Sequence, residues 1–173
     1  VQILHMLRDP RDVARSSIGM GWSGTVFHGV GHWINTETQW QANAAKIDSN
    51  NVETLQYEAL IRGPEAELKR VVTFFGLTYT DEMLQSYTEN STYSAPDVSL
   101  VEQWRTKQSA TDIALVEGRI GGLLQASGYE PSGHPPRQPR FPENLFLRVR
   151  NSASTWRVRI KRFGLIDPVL VML

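Results

Sequence analysis

Val1-Gln-Ile-Leu-His-Met-Leu7 is a short apolar run that stops at a charged turn, and a run of that length predicts a buried strand. Pro10 suits the first turn of a helix, where its missing N–H would have no partner anyway, and Asp9 before it is a good N-cap. A helix over 10–20 follows. The pattern dissolves in the glycine-rich stretch 21–31, which predicts a mobile loop carrying Trp22 and Phe27. Helical spacing returns over 32–47, with Trp33, Trp40 and Ala44 roughly on one face, and Val52–Tyr57 predicts a second strand. Pro64 opens a strong helix to Phe75 with Leu68, Val71, Val72 and Phe75 on one side and Gly76 as its C-cap. A short helix is expected over Asp81–Tyr87 and an irregular polar stretch over Glu89–Ser99. Thr111 or Asp112 then caps a helix to about Ala126, with Ile113, Val116, Ile120, Leu123 and Leu124 on one face, ended by Gly128.

Pro131–Pro142 is proline-rich and predicts a linker. Beyond it, Leu145, Val149, Ala153, Trp156, Ile160 and Phe163 recur at three- and four-residue intervals, a helix stripe set among arginines. Trp156–Lys161 also alternates as a strand would, but the helical pattern is the longer one. The chain thus divides into a body over 1–130, a linker over 131–142 and a basic amphipathic segment over 143–173. The terminal Pro168–Leu173 is expected to pack or dimerise.

The 173 residues suffice for one domain with a real core, and 18 basic side chains balance 18 acidic ones. The balance hides an asymmetry. Residues 131–173 carry eight Lys/Arg against two acidic residues, and residues 1–130 carry ten against sixteen, so the tail is +6 and the body −6. The tail is expected to lie across the acidic body with its apolar stripe inward. A membrane-surface helix or a phosphate-binding patch are the alternatives. Nothing in the totals argues for nucleic acid, and no apolar run is long enough to span a bilayer. The absence of cysteine excludes disulfides and thiolate chemistry. It leaves the compartment open, with the cytoplasm favoured.

The strand, turn and helix around residues 8–16 carry the most chemistry. Such a junction aims a helix N-terminus past the strand end. Arg8 offers a planar cation for phosphate oxygens, and Ser16, two turns into the helix, offers a hydroxyl. Together they would form a phosphate clamp. The alternative is a surface ion pair and a solvated serine. Arg11 and Arg15, one turn apart, either add to the same field or face solvent. His28 and His32 have a spacing that can bind metal on a helix face, but glycines interrupt it and no carboxylate is near in sequence, so no metal is expected. Trp22, Phe27, His28, His32 and Trp33 cluster as a candidate apolar pocket.

The Arg8-Asp-Pro-Arg-Asp-Val segment with Ser16 resembles the 3′-phosphate-binding motif of the sulfotransferases, which use 3′-phosphoadenosine 5′-phosphosulfate as donor. Two further stretches are similar to that family in the same order. One is Gln56-Tyr57-Glu58 with the helix ending at Phe74-Phe75-Gly76-Leu77, and the other is Val101-Glu102-Gln103-Trp104-Arg105. The resemblance implies an α/β domain of P-loop type, a parallel sheet with flanking helices, of which this chain supplies the later part without the N-terminal strand and phosphosulfate loop. It also implies transfer of a sulfuryl group to a hydroxyl or amine of a small molecule, carbohydrate, lipid or peptide. Arg8 and Ser16 would hold the donor's 3′-phosphate and Tyr57 would contact its adenine, although Tyr57 also suits a core position. Glu58 is expected to be structural and Trp104 to be core or lid. The family's basic residue before that tryptophan has no counterpart in Asp97-Val98-Ser99, which leaves Arg105 and Lys107 as candidates. No catalytic residue is assigned, and the chain by itself is expected to be inactive. A P-loop kinase-like enzyme and a noncatalytic module working through its basic tail are the competing readings.

Overall fold

The computed structural model describes residues 1–84 and 97–164 and falls into two compact units. The first comprises Val1–Asp9 and Trp40–Gln103, the second Pro10–Gln39 and Trp104–Leu173. The parallel strand pair and flanking helices expected from the sequence are both present.

In the first unit, β1 (Ile3–Leu7) pairs in parallel with β2 (Val52–Gln56), in a register running from Ile3↔Val52 to Leu7↔Gln56. Leu7 and Leu55 point inward and are nearly fully buried, while Met6 is exposed. The alternation follows from the two-residue period of a strand. The chain leaves β2 directly into α4 (Tyr57–Arg62) and α5 (Pro64–Phe74). Pro64 sits in the first turn of α5, and Gly76 closes it with a left-handed φ of 69° that favours glycine. Val71 of the predicted stripe is buried against this unit. Arg70, on α5, ties back to β2 through Glu53 and through a 3.0 Å bond donated to the Thr54 carbonyl.

In the second unit, α1 (Pro10–Gly19) is followed by α2 (Val26–Gly29) and by α3 (Gly31–Ala44), the last contributing residues to both units. The stretch 21–31 is therefore no simple loop. Thr25 caps α2 by accepting the His28 N–H, and Val26, Phe27 and Val30 are buried. The core helix is α7 (Ala110–Ile120), preceded by α6 (Trp104–Lys107) and followed by α8 (Leu123–Ala126). The expected cap at Thr111 or Asp112 is instead Ser109, whose hydroxyl accepts the Asp112 N–H. The single helix expected to reach Ala126 breaks at Gly121, whose φ of 61° does not continue a helix. Ile113, Val116, Ile120 and Leu124 are all buried, as their spacing requires.

The proline-rich segment runs along α7. The Arg137 N–H donates 3.0 Å to the Ala114 carbonyl and the Gln138 amide 2.5 Å to that of Gly118. The chain then enters α9 (Phe141–Phe163), the long helix predicted from the three- and four-residue spacing. It packs on its own unit, but through a different face from the one expected. Leu147 is buried with Phe27 and Leu115, and Asn151 Oδ1 accepts the Gly24 N–H at 2.7 Å. Leu145, Val149 and Ile160 of the predicted stripe are exposed instead. The reason is close packing at glycine: a Cβ on Gly24 would stand 2.5 Å from Ser154 Cβ and 2.8 Å from the Asn151 carbonyl, so the approach of this side of the helix needs glycine at position 24.

The helix expected over Asp81–Tyr87 is described only to Leu84, where Glu82–Leu84 are helical, and most of Glu89–Ser99 and all of Pro168–Leu173 lie outside the described residues. Among the described residues no helix is long and apolar enough to cross a membrane.

Candidate functional site

Two strands that pair in parallel point the same way, so the residues just past their ends meet at one edge of the sheet. Because Leu7 faces Gln56 in the register, the next residues, Arg8 and Tyr57, stand side by side at the carboxyl edge. That edge is where ligands bind in open α/β sheets. The Arg8 guanidinium lies 4.3 Å above the centre of the Tyr57 ring, a cation–π contact. One of its Nη atoms donates to the Leu100 carbonyl at 3.4 Å. Both side chains are only half-buried. Glu58, next to Tyr57, is buried and accepts the backbone N–H of Asp9 at 2.9 Å. It fixes the turn that follows Arg8 and so has the structural role expected of it.

The second unit holds the rest of the motif. Ser16 is the seventh residue of α1 and is half-buried. Arg11 neither faces solvent nor adds to a phosphate field. It is buried and donates 2.7 Å to Glu117 Oε1, in a pair whose side chains are 3% and 1% exposed. It also donates to the Glu130 carbonyl at 3.0 Å and lies 3.7 Å over the Trp104 ring. Asp12 Oδ1 accepts the Trp104 backbone N–H at 2.8 Å, so Trp104, 2% exposed, is core. Arg15 donates 3.3 Å to the Lys107 carbonyl. Arg105 is stacked 4.3 Å from the Trp104 ring. The pairing of Arg11 with Glu117 was not visible in the motif. Its one legible trace is Glu117 itself, four residues after Ile113 and three before Ile120, a carboxylate on an apolar helix face where it demands a buried cation.

Part of the predicted aromatic pocket exists in this unit. A cavity of about 400 Å³ is lined by Ser17, Trp22, Ser23, His28, Gly29 and His32. Trp33 and Phe27 belong to the core instead. Ser17 Oγ is committed to the Val13 and Gly29 carbonyls. His28 Nδ1 lies 2.8 Å from the Thr25 hydroxyl. Partial burial lowers its pKa from the ordinary 6.5, with smaller contributions from Arg119 and Arg148, which favours the neutral imidazole. Among the described residues, no three His, Asp or Glu side chains stand close enough to hold a metal ion.

Residues 1–81 match the model of the Sulfotransferase family. Human carbohydrate sulfotransferase 5 is 27% identical over 167 residues, an alignment covering 76% of this chain and 40% of that protein. The fold is similar to a sulfotransferase domain from the curacin biosynthetic pathway, with a TM-score of 0.61, 17% identity and coverage of 75% of this chain and 54% of that one. A sulfotransferase domain from the Synechococcus PCC 7002 olefin synthase gives 0.56, 18%, 67% and 48%. The chain thus spans about 40% of the length of its curated relative.

Proposed function

We propose that this chain, whose residues 1–81 match the model of the Sulfotransferase family, holds the nucleotide end of 3′-phosphoadenosine 5′-phosphosulfate during sulfuryl transfer to an acceptor hydroxyl or amine. The observation that carries the reading is the carboxyl edge of the parallel pair, where Arg8 and Tyr57 stand together. A half-buried planar cation at a strand end suits the 3′-phosphate, which it can grip with two parallel hydrogen bonds. Ser16 is proposed as the second contact, on the motif spacing. Tyr57 offers a ring face and a hydroxyl to the adenine.

The donor supplies the sulfuryl group, and the residues named here position the nucleotide that leaves. Arg8 and Ser16 neutralise and orient that leaving group without touching sulfur, so their contribution is positioning and charge stabilisation. No residue of this chain is assigned to proton abstraction. The cavity between Trp22, His28 and His32 is proposed for the acceptor. Its aromatic and hydrogen-bonding lining suits a hydroxylated molecule, and the one curated relative named above is a carbohydrate sulfotransferase.

Calorimetric titration with adenosine 3′,5′-bisphosphate tests the reading, with adenosine 5′-monophosphate as control. The bisphosphate is expected to bind more tightly, and Arg8→Ala to weaken it by about 1.5–3 kcal/mol, as for a hydrogen bond to a charged group. Equal affinity for the two nucleotides would remove the 3′-phosphate role and favour a kinase-like nucleotide enzyme.

A further inference from the structure

The outward face of α9 has a composition that the nucleotide site does not explain. With 3.6 residues per turn, Leu147, Asn151, Ser154 and Val158 fall on one side, and this is the side that meets Gly21, Gly24 and Phe27. Phe141, Leu145, Phe146, Val149, Ala153, Trp156 and Ile160 fall on the other, within an arc of about 140°. Phe141 is 84% exposed, Leu145 55%, Phe146 62%, Val149 61% and Ile160 36%. Five of the twelve large apolar side chains most exposed among the described residues are therefore on this one helix. An apolar patch of this kind on a folded surface marks a binding site.

The charges say what would cover it. Arg148 and Arg159 flank one margin of the arc, and Arg150, Arg157 and Lys161 flank the other, all exposed. The acidic residue of the helix, Glu143, is paired with Arg137 through bonds of 2.7 Å. An apolar groove on a protein would meet the stripe but leave two parallel rows of cations on its rims. An anionic lipid surface meets both at once, with acyl chains under the stripe and headgroup phosphates along each row. Trp156 lies in the stripe, and tryptophan favours the headgroup level.

We infer that the outward face of α9 is a docking surface for an anionic lipid bilayer, on which the helix lies in the plane of the interface. It does not cross the bilayer, since its other face is seated on its own unit.

Sedimentation with vesicles tests this, comparing phosphatidylcholine alone with phosphatidylcholine and phosphatidylglycerol at roughly three to one. The chain is expected to pellet with the anionic vesicles and to be released by high salt. Arg157→Gln is expected to weaken binding about fivefold, and Leu145→Glu with Val149→Glu to abolish it. These positions are exposed, so unchanged circular dichroism keeps the result interpretable. A blue shift of fluorescence on binding, lost in Trp156→Phe, would place the stripe in the interface. Binding to neither vesicle overturns the inference. So does a concentration-dependent dimer, seen by analytical ultracentrifugation without lipid, that Val149→Glu dissociates, because the occupant is then a second copy.

Discussion

Arg8 and Arg11 belong to one short motif and have opposite fates. Arg8 is half-buried, over a tyrosine ring and at a long 3.4 Å bond to a carbonyl. Arg11 is 2% exposed, paired at 2.7 Å with a buried carboxylate and bonded to the Glu130 carbonyl. A guanidinium that serves a ligand keeps contacts it can exchange. One that serves the architecture is held by a fixed charge in a medium where that charge cannot be replaced by water. Sequence spacing treats the two alike, and only the partner distinguishes them.

Arg11→Ala should give the largest effect. It strands Glu117 in the core, and removing one partner of a buried pair costs about 3–5 kcal/mol, read from urea denaturation. A double-mutant cycle with Glu117→Leu should recover a large part of that loss. Additive losses would break the comparison. Asp12→Ala comes next. It leaves the buried Trp104 N–H without the acceptor that Asp12 Oδ1 provides, at a cost of about 1–3 kcal/mol.

Arg8→Ala should change stability by no more than about 0.5 kcal/mol, as a partly exposed substitution does, while nucleotide affinity falls. An equal loss of stability would place Arg8 in the architecture beside Arg11. The smallest effect concerns His28, a titratable group partly buried beside two arginines. Its pKa is lowered in the folded chain, so the unfolded chain takes up the proton first as pH falls. Stability should be flat above the ordinary pKa of 6.5 and decline below it until the lowered folded value is reached. A His28→Gln variant should lack that part of the acid dependence when melting temperature is followed against pH.

Local rules made the strands, α5 and the length of α9 legible. Pro64, Gly76 and the spacing of the apolar residues act within a few positions of themselves. Ser109 was missed because Ser, Thr and Asp lie together at 109–112 and any of them can cap. The facing of α9 was missed for a different reason. Its stripe is the stronger apolar pattern, yet Gly21 and Gly24 seat the side of the helix that carries Ser154 and Val158, and that fit is set by residues more than a hundred positions away. In the candidate site, Arg8, Ser16 and Tyr57 were singled out from their motif, and the structure brings Arg8 and Tyr57 together. The side-by-side placement of Arg8 and Tyr57 depends on strand register, which neither segment encodes alone.

Glu117 also closes loops. Its Oε1 receives Arg11 from 106 positions away, and its two oxygens receive the N–H and hydroxyl of Ser132 from 15 positions away, each at 3.0 Å. In a chain with no cysteine, one carboxylate thus acts as a reversible cross-link among α1, α7 and the proline-rich strap. The amide of Ser132, in a segment without regular secondary structure, is expected to exchange as slowly as the core helix to which it is tied, with the strap and the core opening together.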